Sequence, residues 1–297
     1  MIRDLMVRVA RLERRAALVG GLQGRDLSGR NLSGMDFSNA DLRNANLSGA
    51  NLMRANLTGA NLTRADLTQA RLTEAVLDEA ILKNAVFSEI NAQRASFKKT
   101  DFREVYLYQV SAQGAVFHNA LMNGAEIYEG DYTESAFTWA DLTRSHIRNA
   151  VFSGADFNKA VLKEAELSHS NFSNTYFKEA NLSDATCILV TLKNANLSET
   201  SLIRTKFKRS ALYDCNFVLA DMKLAHFSDC SAGNADFTSV DASMAAFYRT
   251  SLVNAALEDG LFSDADFSTA DVRNATYDDT TELPVLTPAQ LQSMRKS

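Results

Sequence analysis

Residues 46–70 read NLSGA NLMRA NLTGA NLTRA DLTQA. Leu holds the second place of each block, Ala the fifth, and Asn or Asp the first. From this stretch the pattern extends both ways at the same spacing. An apolar centre recurs at every fifth residue from Leu22 to Tyr277, 52 consecutive repeats without insertion or deletion. The weak members are Ala92, Ala112, Cys187, Ala232 and Ala242, and the series stops where the next place in phase is Glu282. All 17 Phe residues stand at centres. Chance would place about one in five there, so the period is real and not a product of Leu-rich composition. Two residues before each centre a second signal runs: 30 of the 51 such places from Arg25 to Ala275 are Ala, and most of the rest are Ser, Thr, Val, Cys or Gly.

A period of five fits neither a helical stripe at 3.6 nor a strand alternation at 2. It requires a backbone that turns a corner every five residues. The centre and the small residue before it then point inward, and three polar places point out. These residues resemble the pentapeptide-repeat family, with its consensus A(D/N)Lxx, over residues 20–279. The resemblance implies an all-β fold, a right-handed quadrilateral parallel β-helix with four repeats, or 20 residues, per coil. The 52 repeats then make 13 coils. At a strand spacing of about 4.8 Å they stack into a rod of roughly 60 Å. Burial of each centre is worth roughly 1.5–3 kcal/mol and drives folding. When the centres are sorted by a 20-residue coil, one column holds 8 of the 17 Phe, including Phe97, Phe117, Phe137, Phe157 and Phe177. That excess is expected where rings stack on adjacent coils.

Three segments follow. Residues 1–19 predict an amphipathic helix, with Ile2, Leu5, Val9, Leu12, Ala16 and Val19 on one stripe. It either caps the first coil or forms a short coiled coil that oligomerises the rod. Residues 20–279 are the solenoid. Residues 280–297 predict a C-terminal cap, with Thr287 as N-cap, Pro288 in the first turn and a short helix over 289–296. Leu283, Val285, Leu286, Leu291 and Met294 are expected to cover the last coil. In related solenoids a C-terminal helix often builds a dimer, so a homo-oligomer through the terminal helices is a further expectation.

The totals exclude several classes. A net charge of −5 argues against bulk attraction to nucleic acid or anionic lipid. No apolar stretch is long enough to cross a membrane, and the Arg-dotted N-terminus does not read as a secretory signal, so the cytoplasm of a bacterium is the expected setting. Three cysteines imply no disulfide framework, and Cys187, Cys215 and Cys230 all fall at inward places. The four histidines, His118, His146, His169 and His226, fall at outward places; His146 and His226 share a column but stand four coils apart, roughly 19 Å, too far to share a metal. No phosphate loop, CxxC pair or nucleophile elbow occurs. The sequence therefore predicts no enzyme, no catalytic residue, no metal and no cofactor.

Function is then expected on the outer faces. The solenoid carries −9, of which the face of the Phe column carries −7, with Asp78, Glu79, Glu258, Asp259, Asp278 and Asp279 contributing and Lys98 and Lys99 interrupting. Tyr106, Tyr108 and Tyr128 are expected on adjacent coils, with Trp139 nearby; they read as interface anchors or as cover for an irregular coil around Ala92 and Ala112. Ile188, Leu189, Ile203, Val218, Leu219 and Leu224 predict an exposed apolar patch for self-association or partner binding. Arg204, Lys206, Lys208 and Arg209 form a basic spot, read as a solvated rim rather than a nucleic-acid site. The leading expectation is a protein-interaction scaffold. The resemblance also implies a second possibility, a DNA mimic that binds DNA gyrase or another type II topoisomerase. A third is an oligomeric component of a phage-tail-like or secretion assembly.

Overall fold

The computed structural model describes residues 21–297; the helix expected over residues 2–19 lies outside them. Parallel bridges join each coil to the next in four columns, running from Asp26, Asn31, Asp36 and Asp41 to Asp266, Asp271, Thr276 and Glu282. The step is 20 residues throughout, except for the last bridge, which joins Leu261 to Glu282. We number the four sides by their first centres: face 1 from Leu22, face 2 from Leu27, face 3 from Leu32 and face 4 from Phe37. Faces 1 and 3 are opposite, as are faces 2 and 4.

The consensus explains itself residue by residue. The centre N–H donates to the coil above, as Leu47 does to Asp66 O at 2.7 Å. The second residue after the centre sits at a corner with positive φ, and the chain closes a turn through a hydrogen bond such as Ala50 N–H to Leu47 O at 3.0 Å. The Asn or Asp before the centre accepts the N–H two residues on, as Asn46 Oδ1 does from Ser48 at 3.0 Å. This Asx turn pins the corner. Several of the Ser and Thr residues that take the small inward place donate to a carbonyl of the preceding coil, Thr100 to Leu77 O at 2.7 Å and Thr205 to Leu182 O at 2.8 Å, whereas Thr175 donates to Phe172 O of its own coil.

Inside, the expected ring column is present. Phe97, Phe117, Phe137, Phe157 and Phe177 stack with centroids 4.5–5.1 Å apart and planes within 14°. A second column on face 3, Tyr132, Phe152 and Phe172, stacks at 4.9 Å and meets the first edge-on. The coil around Ala92 is not irregular. Its bridges continue, and Phe87, Phe97 and Phe102 close around the small centre at 5.3–6.0 Å.

Face 2 differs from the rest. From Val86 to Tyr248 it forms nine three-residue strands, β1 (Val86–Ser88), β2 (Tyr106–Tyr108), β3 (Glu126–Tyr128), β4 (His146–Arg148), β5 (Glu166–Ser168), β6 (Thr186–Ile188), β7 (Lys206–Lys208), β8 (His226–Ser228) and β9 (Ala246–Tyr248), in one parallel sheet. At these corners the residue after the centre pairs with its neighbours instead of entering a closed turn. The N–H groups of Ala150, Val190 and Cys230 are taken by the hydroxyls of Ser170, Ser210 and Thr250 on the next coil.

The C-terminal end is closed by β10 (Thr276–Tyr277), α1 (Pro288–Ser293) and β11 (Arg295–Lys296). Thr287 and Gln290 form a reciprocal capping box, and Gln290 Nε2 also donates to Phe267 O at 2.8 Å, tying the helix to the last coil. The helix ends at Ser293, short of the expected Lys296, because Arg295 and Lys296 pair with β10 and cover its open edge. Met294 is buried, and Leu283 and Leu286 pack against the core. Val285 and Leu291 turn outward, contrary to expectation, and buried Pro284 takes the place expected for an aliphatic side chain. Among the described residues no helix is long and apolar enough to cross a membrane.

Candidate interaction faces

The tyrosines expected to lie together do so. Tyr108 and Tyr128 are register partners on β2 and β3, and Tyr106 meets Tyr108 at 6.1 Å and Tyr128 at 5.5 Å. They stand on a regular part of the sheet, so they do not cover a break in the coil. Tyr106 is 46% exposed and Val86, its register partner below, is equally so. Carboxylates surround the rings. Glu129 above all holds the Tyr108 hydroxyl's pKa above its ordinary value, while burial and then Glu126 raise that of Tyr128. Both phenols stay neutral at physiological pH and present a π face edged by negative charge.

Trp139 is not part of this cluster. It occupies the corner after Phe137, on the opposite side of the rod, 54% exposed, with Lys159 Nζ 5.0 Å over its ring. The expected apolar patch also separates. Ile188 and Leu189 lie on face 2, Ile203 and Leu224 on face 1 and Val218 and Leu219 on face 4. Sequence proximity hid the difference because five residues of chain carry a side chain round a quarter-turn. Leu189, Leu219 and Leu224 are exposed, and the other three are half-buried. Sequence reasoning passed over Tyr176, Tyr213, Met244 and Tyr248, which are exposed, each on a different face. Their signal was an apolar residue in an outward place.

The six acidic residues singled out on face 4 fall into two groups, Asp78 with Glu79 and Glu258 to Asp279, nine coils apart, and the face also carries Asp36, Asp156, Glu179, Glu199 and Asp236. Between Glu79 and Asp156 this face has no acidic residue. Several carboxylates are already engaged. Asp78 accepts from Ser96 Oγ and from Lys98 N–H at 3.0 Å, Glu79 pairs with Lys99 at 3.5 Å, and Asp279 pairs with Lys296. Asp278 accepts from Thr280 and Thr281, which hold its carboxyl well below the usual range. A Glu258 oxygen is buried without a partner. The negative charge is therefore interrupted between Glu79 and Asp156 and partly engaged elsewhere.

The basic spot is divided as well. Arg204 pairs with Asp184 at 2.6 Å on the corner of face 1, whereas Lys206, Lys208 and Arg209 line β7 and its corner on face 2. No group of His, Cys, Asp or Glu among the described residues is arranged to hold a metal ion. His146 lies 3.8 Å from Glu166, an exposed surface pair. Cys187, Cys215 and Cys230 are buried, and burial pushes their thiols up, to about 12 for Cys215 and about 11 for Cys230. They act as small core residues.

Comparison with known proteins agrees with this architecture. A family model described as pentapeptide repeats (8 copies) matches residues 22–59, 60–98 and 70–107, and a pentapeptide repeat region model matches residues 140–217. No curated protein matches the sequence. Among solved structures, HetL from the cyanobacterium Nostoc sp. strain PCC 7120, involved in heterocyst differentiation regulation, is 21% identical with a TM-score of 0.45, covering 76% of this chain and 88% of its own. Full-length QnrB1, a plasmid-mediated fluoroquinolone resistance protein, is 18% identical with a TM-score of 0.36, covering 68% and 90%. A pentapeptide repeat protein of the Arabidopsis thaliana thylakoid lumen is 29% identical with a TM-score of 0.29, covering 41% and 71%. With the two repeat models together spanning more than half of a chain that folds into four-sided coils of five-residue repeats, the chain belongs to the pentapeptide-repeat family.

Proposed function

We propose that this chain is a non-catalytic interaction scaffold and that face 2 is its principal contact surface. The observation that carries this is the cluster of Tyr106, Tyr108 and Tyr128 on a nine-stranded parallel sheet. Tyrosine supplies large contact area with few rotamers to freeze, and exposed rings packed on one another are suited to desolvation by a protein partner. The strands beneath them fix their positions before binding, so little order has to be gained. A photo-crosslinking amino acid placed at Tyr106 or Tyr128 tests the reading in cells. Crosslinks are expected there and not at Asn254, on a corner between faces 3 and 4. Equal labelling at Asn254, or none at either tyrosine, would count against it.

The DNA-mimic reading draws on the acidic residues Asp78, Glu79, Glu258, Asp259, Asp278 and Asp279 of face 4, and on nothing on face 2. It predicts dose-dependent inhibition of gyrase supercoiling by the purified chain, and an absence of effect at micromolar protein removes it. Assembly through the helix expected over residues 2–19 concerns residues outside those described.

A further inference from the structure

Resting on the scaffold reading, we infer that face 2 binds face 2 of a second copy, the two rods antiparallel and the two-fold axis lying in the interface along β5. In that arrangement β1 faces β9, β2 faces β8, β3 faces β7 and β4 faces β6. A symmetric contact of this kind is self-complementary only if the surface itself carries both halves of every pair. Face 2 does. Its β3 end is acidic and aromatic, through Glu126, Tyr128 and Glu129; its β7 end is basic, through Lys206, Lys208 and Arg209. The two ends are four coils apart, about 19 Å, and equidistant from β5.

Row by row the opposition is favourable. Residues before the centre set Glu126 against Lys206, residues after it set Tyr128 against Lys208, and the corners set Glu129 against Arg209. Two are charge pairs and one is a cation over a ring. Each occurs twice by symmetry. None of these charged residues has an ion-pair partner within its own chain among the described residues, although most other corner charges do, such as Arg54 with Glu74 and Arg144 with Glu164. Parallel rods would instead set the two lysines of β7 against those of the same strand in the second copy. Two contacts of the antiparallel arrangement are unfavourable: on the axis Glu166 meets Glu166, each with its own His146 3.8 Å to one side, and beside it Arg148 of β4 lies against Ile188 of β6.

The contact is small. Nine strands at about 4.8 Å and roughly four residues of width give about 500 Å² per copy, about 1,000 Å² in all, at the low end of specific interfaces. Association in the micromolar range follows, and it weakens with salt because surface pairs hold it.

Sedimentation velocity on the full chain across roughly 1–200 μM is the test, chosen around that expected range. The expected result is a monomer–dimer equilibrium that salt weakens. The triple variant K206E/K208E/R209E and the double variant E126K/E129K each raise the dissociation constant roughly tenfold or more, because both place like charges in register. Mixed, the two variants recover a heterodimer, and Glu166→Gln tightens the wild-type dimer. All of these positions point outward, and unchanged thermal melts will show that the variants fold. A chain monomeric throughout, a dimer indifferent to both variants, or a mixture that fails to associate overturns the inference. A monomer that still crosslinks through Tyr106 in cells refutes self-association alone; loss of the crosslinks as well refutes the scaffold reading beneath it.

Discussion

At each corner of the coil a single residue adopts a left-handed backbone. Of the 51 corners from Gly24 to Asn274, all but Thr269 have positive φ, and Thr269 is the one β-branched residue among them. A branched Cβ crowds the neighbouring carbonyls at φ near +57°, whereas Gly is free of that contact and Asn, Glu or Arg tolerate it. Glu134, exposed with φ 57°, makes the cost measurable. Glu134→Val is expected to destabilise by about 1–2 kcal/mol and Glu134→Gly by less than about 0.5 kcal/mol, read from urea midpoints; equal effects would show that the corner tolerates branching. A tighter constraint lies at Gly130. A Cβ there would stand 2.5 Å from Tyr132 Cε2 and 3.0 Å from Val110 O, so Gly130→Ala forces the ring or the backbone to shift and costs about 1–3 kcal/mol. Tyr132 itself is fully buried with its hydroxyl unpartnered, so Tyr132→Phe is expected to stabilise by about 1–2 kcal/mol, and a loss of stability would reveal a partner for that oxygen.

The turn is the element that makes acid stability predictable. At Asp26, Asp36 and Asp266 the carboxylate accepts hydrogen bonds from the Ser two residues on, and these hold its pKa below the ordinary value; at Asp101 and Asp271 the guanidinium of the Arg two residues on does the same. A depressed folded-state pKa contributes stability that is present above the unfolded value near 4 and disappears as pH falls through the folded value. The melting temperature is therefore expected to be flat from about pH 5 to 8 and to drop below about pH 4; a curve level to pH 3 would contradict the role given to these turns. Asn at the same place, as in Asn46, Asn51 and Asn56, keeps the acceptor without the titration. That interchange of Asp and Asn is why the turn was legible in the sequence, together with the inward centre and the coil length. What was not legible follows from the same geometry. Five residues carry the chain to another side, so Leu189 and Leu219 look like one patch in the sequence and stand on opposite faces. At three of the open corners of face 2 an N–H is taken by a hydroxyl one coil away, at Ser170, Ser210 and Thr250, and no local pattern announces them. The tyrosine cluster was visible because Tyr108 and Tyr128 are one coil apart; its carboxylate surround depends on corners that the consensus leaves free.

Across the whole molecule, a coil touches only the coils above and below it, so stability is close to a sum of coil terms and neighbour terms. The two column stacks make the middle of the rod the strongest part. Phe137 lies 4.5 Å from Phe117 and 4.7 Å from Phe157 in its own column and meets Phe152 edge-on at 5.7 Å. Phe137→Ala removes these contacts and the one with Tyr132 at 6.0 Å, and leaves a cavity in a core with no loop to collapse into it, a loss of about 3–5 kcal/mol. Because coupling is between neighbours, that loss should appear in hydrogen exchange as faster exchange of the coils around residues 117–157, with two protected blocks left on either side. Removing residues 283–297 acts differently. It uncovers Phe267 and the edge of β10, which Gln290 and β11 close, and protection should fade from residue 277 back toward the middle. A rod that instead lost protection evenly along its length in both variants would be one cooperative unit, and the neighbour-only account of its stability would be wrong.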